Sequence, residues 1–368
     1  MSGFAFAIPG ALDLPTGGYA YDRRVIAECR RAGHAVTHLA LPGGFPFPSS
    51  AELHRSAQML AAVPDGQPVL IDGLAMGALP ADLLRGLRHP IAALVHHPLA
   101  LEAGLGEGQR AALHISERRA LALASAVIAT SPATARLLAQ DYGVAPDRLT
   151  VARPGTDPAP RARGTFSHET FSRGTGRPVR LLSVGAVIPR KAHGVLVDAL
   201  ARLAMRDWTC HIVGATDRDA IETHAVQARI AAHGLGGRIT LTGSIPPDAL
   251  AGQFDAADIF VSASLFEGYG MGLSEALARG LPIVASRAGA IPDTVPAAAG
   301  LLVPPGDTEG LAGALGALLD APERRRQMAE SAWSHAQALP RWPQTAAIIL
   351  ATLQNISGRE PSRQETSR

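Results

Sequence analysis

Several kinds of chemistry are missing from this chain of 368 residues. It has two cysteines, Cys29 and Cys210, far apart in separate halves. Neither a disulfide framework nor a thiolate metal cluster is expected, and both read as small buried hydrophobes. No apolar run approaches the length of a membrane-spanning helix. No positive charge precedes Arg23, so the apolar start lacks the basic lead of a secretory signal, and a cytoplasmic location is expected. Net charge is +2 with no block of like charges. Nucleic acid is therefore not expected as a partner, and the basic pI leaves only a peripheral membrane contact open. The histidines show no His-x-x-x-His spacing, and no solenoid-type repeat is visible.

Apolar residues make up 47% and charged residues 18%, which indicates a well-buried globular protein. The length exceeds what one core usually supports, so two domains are expected. Short apolar strands alternate with helix-spaced segments in both halves, as parallel α/β sheets require. The first half predicts strands at Phe4–Ile8, Ala35–Leu41, Pro68–Asp72, Ile91–His96, Ala126–Thr130 and Leu149–Ala152. The second predicts them at Val179–Val184, Thr209–Val213, Ile239–Leu241, Ile259–Ser262 and Ile283–Ser286. The expected organisation is a first domain over 1–160, a linker over 161–177 and a second domain over 178–339. A helix over 340–356 crosses back to the first domain, and 357–368 forms a disordered tail.

The most informative stretch is Ile259–Gly280, IFVSASLFEGYGMGLSEALARG. An apolar strand runs into glycines at 268, 270 and 272, and a helix with Leu273, Ala276 and Leu277 on one face follows. Such a strand–turn–helix corner presents unpaired backbone N–H groups to an anion. Glu267 and Glu275 bracket it, and carboxylates accept hydrogen bonds from sugar diols. Glu275 also suits the helix macrodipole without any ligand. Glu267 sits where open α/β sheets bind ligands.

With its two glutamates separated by seven residues, this segment resembles the signature of the retaining glycosyltransferases of the large family-four group. The resemblance implies the GT-B fold: two Rossmann-like, doubly wound domains facing across a cleft, with a C-terminal helix crossing back. It also implies a nucleotide diphosphate sugar as donor, an acceptor hydroxyl, and no cofactor.

Other positions fit the same pattern. Gly17-Gly18 follows the first strand in neither a P-loop nor a dinucleotide fingerprint. Alone it reads as a turn, while the resemblance lets its backbone approach the donor diphosphate. His96 and His97 close the fourth strand, and alternation sends the two rings to opposite faces. The resemblance assigns His96 to the transferred sugar, and a structural histidine is the other reading. Arg190 and Lys191 lie where a helix begins, against the dipole preference for anions there, so an anionic ligand is expected between them. In the resembling family an arginine directly follows the glycine. Here Ala186 occupies that place, and Arg190 is the nearest substitute. Ile245 falls in the loop expected to line the base pocket, and Gly268, Tyr269, Gly270 and Met271 line the phosphate corner.

Asp217-Arg218-Asp219 is formally a metal-binding Asp-x-Asp, but it reads as a helix N-cap. No metal site is assigned, and electrostatic stabilisation of the leaving group by Lys191, Arg190 and helix amides is expected instead. Glu267 and His96 complete the expected catalytic set, and Glu275 would take the ribose. A catalytically silent nucleotide-sugar-binding protein and a GT-B epimerase or phosphorylase are the competing readings. The acceptor is unidentified.

Overall fold

Neighbouring residues of the central strands go to opposite apolar layers, which makes these sheets buried on both faces. In the second half Leu181, Val261 and Val284 join one hydrophobic cluster, while Leu182, Phe260 and Ile283 join another. Fully burying each such side chain contributes about 1.5–3 kcal/mol, and a one-residue register slip would exchange the two sets. The computed structural model describes residues 3–102, 104–166 and 177–358. It divides into two units, one comprising residues up to Gly155 together with those from Pro340 on, the other Thr156–Leu339.

Among the described residues each unit holds one six-stranded parallel sheet. The first is built from β1 (Gly3–Pro9), β2 (Ala35–Leu41), β3 (Val69–Asp72), β4 (Ile91–Val95), β5 (Ala126–Ala129) and β6 (Leu149–Val151), in the order β2-β1-β3-β4-β5-β6. The second contains β7 (Val179–Val184), β8 (Trp208–Val213), β9 (Ile239–Gly243), β10 (Ile259–Ser262), β11 (Ile283–Ser286) and β12 (Gly300–Val303), ordered β12-β11-β10-β7-β8-β9. Helices cover the sheets, and several start with the caps their sequences advertise. Ser131 accepts from Thr134 N at 3.0 Å at the head of Pro132–Asp141, a contact worth about 1 kcal/mol. Asp219 caps Ala220–Ala232 through Glu222 N at 2.8 Å, so this Asp-x-Asp works as a helix start. Both cysteines are buried and free.

Some expected boundaries move. The first unit ends at Gly155, ahead of the expected residue 160, so 156–160 belong with the second unit. β4 stops at Val95, which leaves His96 outside the strand. β12 and the short helices Gly73–Met76 and Ala81–Arg85 are additional. Residues 167–176 of the expected linker and 359–368 of the expected tail lie outside the described residues. The helix Trp342–Ser357 packs on Gly17–Arg31 within the first unit. Tyr21 stands edge-on between His96 and Trp342, its ring centroid 5.2 Å and 5.6 Å from theirs, and its hydroxyl donates to Ala152 O at 2.9 Å.

Candidate functional site

In the second unit the segment after β10 folds around one carboxylate. Glu267 is buried. Its Oε1 accepts from Lys191 Nζ at 2.5 Å and from Ser264 Oγ at 2.7 Å. Arg190 Nη1 donates to Phe266 O at 3.0 Å and lies 3.7 Å from Glu267 Oε2. The main chain is tied across the same junction, with Leu265 N donating to Arg190 O at 2.8 Å. Ala290 N donates to Glu267 O at 2.8 Å. Gly289 has φ +55, and a Cβ there would lie 2.2 Å from Glu267 O, so only glycine lets that loop close on the glutamate. Burial alone would raise the Glu267 pKa, but the Lys191 and Arg190 charges and the Lys191 and Ser264 hydrogen bonds hold it below the ordinary carboxylate range.

Arg190 and Lys191 occupy a single turn of 3₁₀ helix that ends in Ala192, with φ 48 and ψ 43. Among the described residues Ala192 alone has positive φ without being glycine, at a cost of roughly 1–2 kcal/mol. His193 follows as the first residue of the helix His193–Ala201. Burial and the nearby Lys191 charge push its pKa down to about 3 against a smaller raising by Glu267, so it stands neutral behind the lysine. Gly270, with φ 85, caps the helix Met271–Ala278. Glu275 lies one turn along it, and burial pushes its pKa up to about 7, with Arg279 lowering and Asp157 raising it. Gly268 and Tyr269 lie in the turn before this helix, and Thr294 Oγ1 donates to Tyr269 O at 3.2 Å. Ile245 follows β9 and packs on the apolar layer containing Phe260.

In the first unit Gly17 and Gly18 open the helix Gly17–Arg31, capped by Thr16. A Cβ on Gly18 would touch His96 Cδ2 at 3.4 Å, so the glycine leaves the backbone beside the ring. β4 ends at Val95, so both histidines follow the strand and alternation is not what separates them, yet their rings take different partners. His97 Nε2 lies 3.0 Å from Glu102 Oε2. His96 Nε2 lies 3.2 Å from Asp22 Oδ1 and 3.3 Å from Asp72 Oδ2, and both aspartates are buried. Asp72 is oriented by Leu74 N, which donates to its Oδ1 at 2.9 Å. These three side chains offer the atom types of a cation site. In this arrangement, however, the ring nitrogen itself makes the contacts to both carboxylates that a cation would make.

Sequence reasoning missed Asp22, Asp72, Ser264 and His193. Ser264 carries a local signal, three residues before Glu267. Asp22 and Asp72 carry none until the strand order places β1, β3 and β4 side by side.

A sequence profile for glycosyl transferases group 1 matches residues 178–321, and one for glycosyltransferase family 4 matches residues 20–160. The D-inositol 3-phosphate glycosyltransferase of Nocardia farcinica is 34% identical over 275 residues, covering 70% of this chain and 60% of the relative. The chain thus spans less than two thirds of that relative. The MMP alpha-(1->4)-mannosyltransferase of Mycolicibacterium hassiacum is 27% identical over 332 residues, covering 86% of this chain and 77% of the relative. Among solved structures, sucrose-phosphate synthase from Thermosynechococcus elongatus superposes with a TM-score of 0.80 at 22% identity, over 96% of this chain and 99% of that one. Anabaena HepE in complex with UDP-glucose gives 0.76 at 19% identity, over 96% and 99%. These likenesses carry the GT-B fold.

Proposed function

Because the chain belongs to the family-four glycosyltransferases, we propose that it moves a sugar from a nucleoside diphosphate sugar to an acceptor hydroxyl, with retention at the anomeric carbon and without a metal ion. One observation carries this reading above the rest. Lys191 and Arg190 converge on Glu267 where the loops after β7 and β10 meet, at the carboxyl ends of parallel strands, where open α/β sheets take ligands. Two cations against one carboxylate leave a net positive charge for a leaving diphosphate. Glu267 Oε2 is the oxygen offered to sugar hydroxyls, since Oε1 already serves Lys191 and Ser264.

In the same reading the turn Gly268-Tyr269-Gly270-Met271 supplies amides to the phosphate, Glu275 takes the ribose diol, and Ile245 lines the base. In the first unit Gly17 and Gly18 approach the diphosphate and His96 meets the transferred sugar. The acceptor oxygen bonds to the anomeric carbon on the face from which the phosphate oxygen departs, and that phosphate oxygen receives the acceptor's proton. No second carboxylate is assigned as a nucleophile.

The test is a thermal-shift panel of UDP, GDP, ADP and their sugars, followed by an assay for release of the nucleoside diphosphate. At a hundredfold excess over Kd a ligand adds about 2.7 kcal/mol of stability. Acceptor screening starts from inositol 3-phosphate, the group named in one relative, and mannose is included among the donor sugars because another is named a mannosyltransferase. Absence of a shift with every nucleotide rejects the proposal. A second reading, a silent nucleotide-sugar binder, draws on Ala186 standing where the family's arginine is expected. Binding without hydrolysis or transfer over the whole panel favours it.

A further inference from the structure

We propose that Asp22 is a positioning residue which, together with Asp72, keeps His96 protonated on both ring nitrogens, so that Nδ1–H is offered as a hydrogen-bond donor to an oxygen of the bound sugar. The sugar part of this statement rests on the glycosyl-transfer reading above; the charge state of the ring does not.

The argument begins with a mismatch in numbers. Two carboxylates face one imidazole nitrogen, at 3.2 Å and 3.3 Å. Their side chains are only 1% and 6% exposed. A neutral ring with its proton on Nε2 would leave two buried anions sharing one polar hydrogen, and such an arrangement is strongly disfavoured. Burial, with a smaller push from the Asp72 charge, raises the Asp22 carboxyl to about 6 against the lowering by His96. Above that pH both carboxylates are ionised, and a second ring proton, on Nδ1, supplies the compensating charge.

The ring is also held in place. Thr130 Oγ1 donates to His96 O at 3.2 Å. Gly18 lies against Cδ2, and Tyr21 stands edge-on at an interplanar angle of 83°. Of the groups packed around it, Asp22 and Tyr21 come from the helix Gly17–Arg31 and Asp72 from the end of β3, while Arg23 acts on Asp22. Burial alone would lower the His96 pKa, but the charges and hydrogen bonds of Asp22 and Asp72 push it up to about 10.

The other edge of the ring is the useful one. Among the described residues no hydrogen bond engages Nδ1, and the side chain is 21% exposed. A neutral ring protonated on Nε2 would present a lone pair there and accept from a hydroxyl. The doubly protonated ring can only donate. It therefore selects a neutral oxygen with free lone pairs, such as a sugar hydroxyl, and disfavours a donor-only group such as an ammonium.

Histidine NMR on the full ¹⁵N-labelled chain tests this without any turnover. Two-bond ¹H–¹⁵N spectra distinguish imidazolium from either neutral tautomer, and His96→Gln identifies the resonance. The expected result is an imidazolium at pH 8 in the wild type. The midpoint should fall by at least one pH unit in Asp22→Asn and be largely restored in Asp22→Glu. A neutral His96 at pH 8 overturns the proposal. So does an unchanged midpoint in folded Asp22→Asn, or stoichiometric Mn²⁺ broadening the His96 signals, which would give the three side chains to a cation. If Asp22→Asn does not fold, the wild-type titration and Asp72→Asn decide. With an active donor–acceptor pair, Asp22→Asn should lower kcat/KM about tenfold and move the alkaline limb of the profile to lower pH, and Asp22→Glu should recover most of both. If the wild type transfers no sugar, the glycosyl-transfer reading fails while the spectra still decide the state of His96.

Discussion

The two units carry polar clusters of opposite composition. In one, a single imidazole stands between two buried aspartates; in the other, a single buried glutamate stands between a lysine and an arginine. Each cluster is over-supplied with one sign, and the surplus indicates what it suits. The glutamate cluster has cationic charge to spare and fits an anion. The histidine cluster has none to spare and fits neutral, hydroxyl-bearing groups. The clusters also fail at opposite ends of the pH scale. Glu267 has a depressed folded-state pKa, so its contribution is present above the ordinary value and is lost as pH falls through the folded one. His96 has a raised one, so its contribution is full below the ordinary histidine value and disappears as pH climbs toward about 10.

The most damaging way to break this contrast is Lys191→Ala. It strands a buried carboxylate, costing about 3 kcal/mol in urea unfolding, and removes a leaving-group donor, lowering kcat about 10²–10³-fold. Adding Glu267→Gln should return most of the stability and none of the turnover. Simple additivity in that pair would show that the cluster is not a unit. A second measurement separates the units directly. Hydrogen exchange, corrected for intrinsic rates, should show the segments around Glu267 losing protection first in acid and those around His96 first in alkali; the reverse order would contradict the charge assignments.

Glu275→Gln is expected to act more mildly and in two directions. Because burial raises this carboxyl to about 7, its ionisation erodes stability as pH rises from the ordinary value toward 7. The amide should therefore raise Tm by a few degrees at pH 8 and little at pH 4.5. Donor affinity should fall about tenfold, read by calorimetry. Smallest of all, Ala192→Gly relieves a left-handed alanine and should change stability by no more than about 1 kcal/mol. A larger loss would mean that the methyl group packs as part of the cation turn.

What the sequence disclosed depended on how local the information was. β2 is written out residue for residue in Ala35–Leu41, since its apolar residues and the flanking turn sit side by side in the chain. The carboxylate corner was legible through the spacing of Glu267 and Glu275 and the cations following β7. β12 was not, because Gly300-Leu301-Leu302-Val303 is only four residues long and opens on a glycine that reads as part of the preceding turn. His96 was placed at a strand end, yet the alternation argument required the strand to continue past Val95, which it does not. Asp22 looked like one more polar residue on a helix between Tyr21 and Arg23. Its meaning comes from residues fifty and seventy-four positions away, joined only by the order of β1, β3 and β4.

Trp342 braces Tyr21, and Tyr21 braces His96, so the first unit is finished by a helix that follows the whole second unit in the chain. Until the nascent chain has extended past Ser357, the outer flank of Gly17–Arg31 lacks its cover and the early sheet waits in a protease-sensitive form. Pulse proteolysis of stalled chains ending before and after that helix should reveal a late step of protection in the amino-terminal sheet, long after its own strands have been translated.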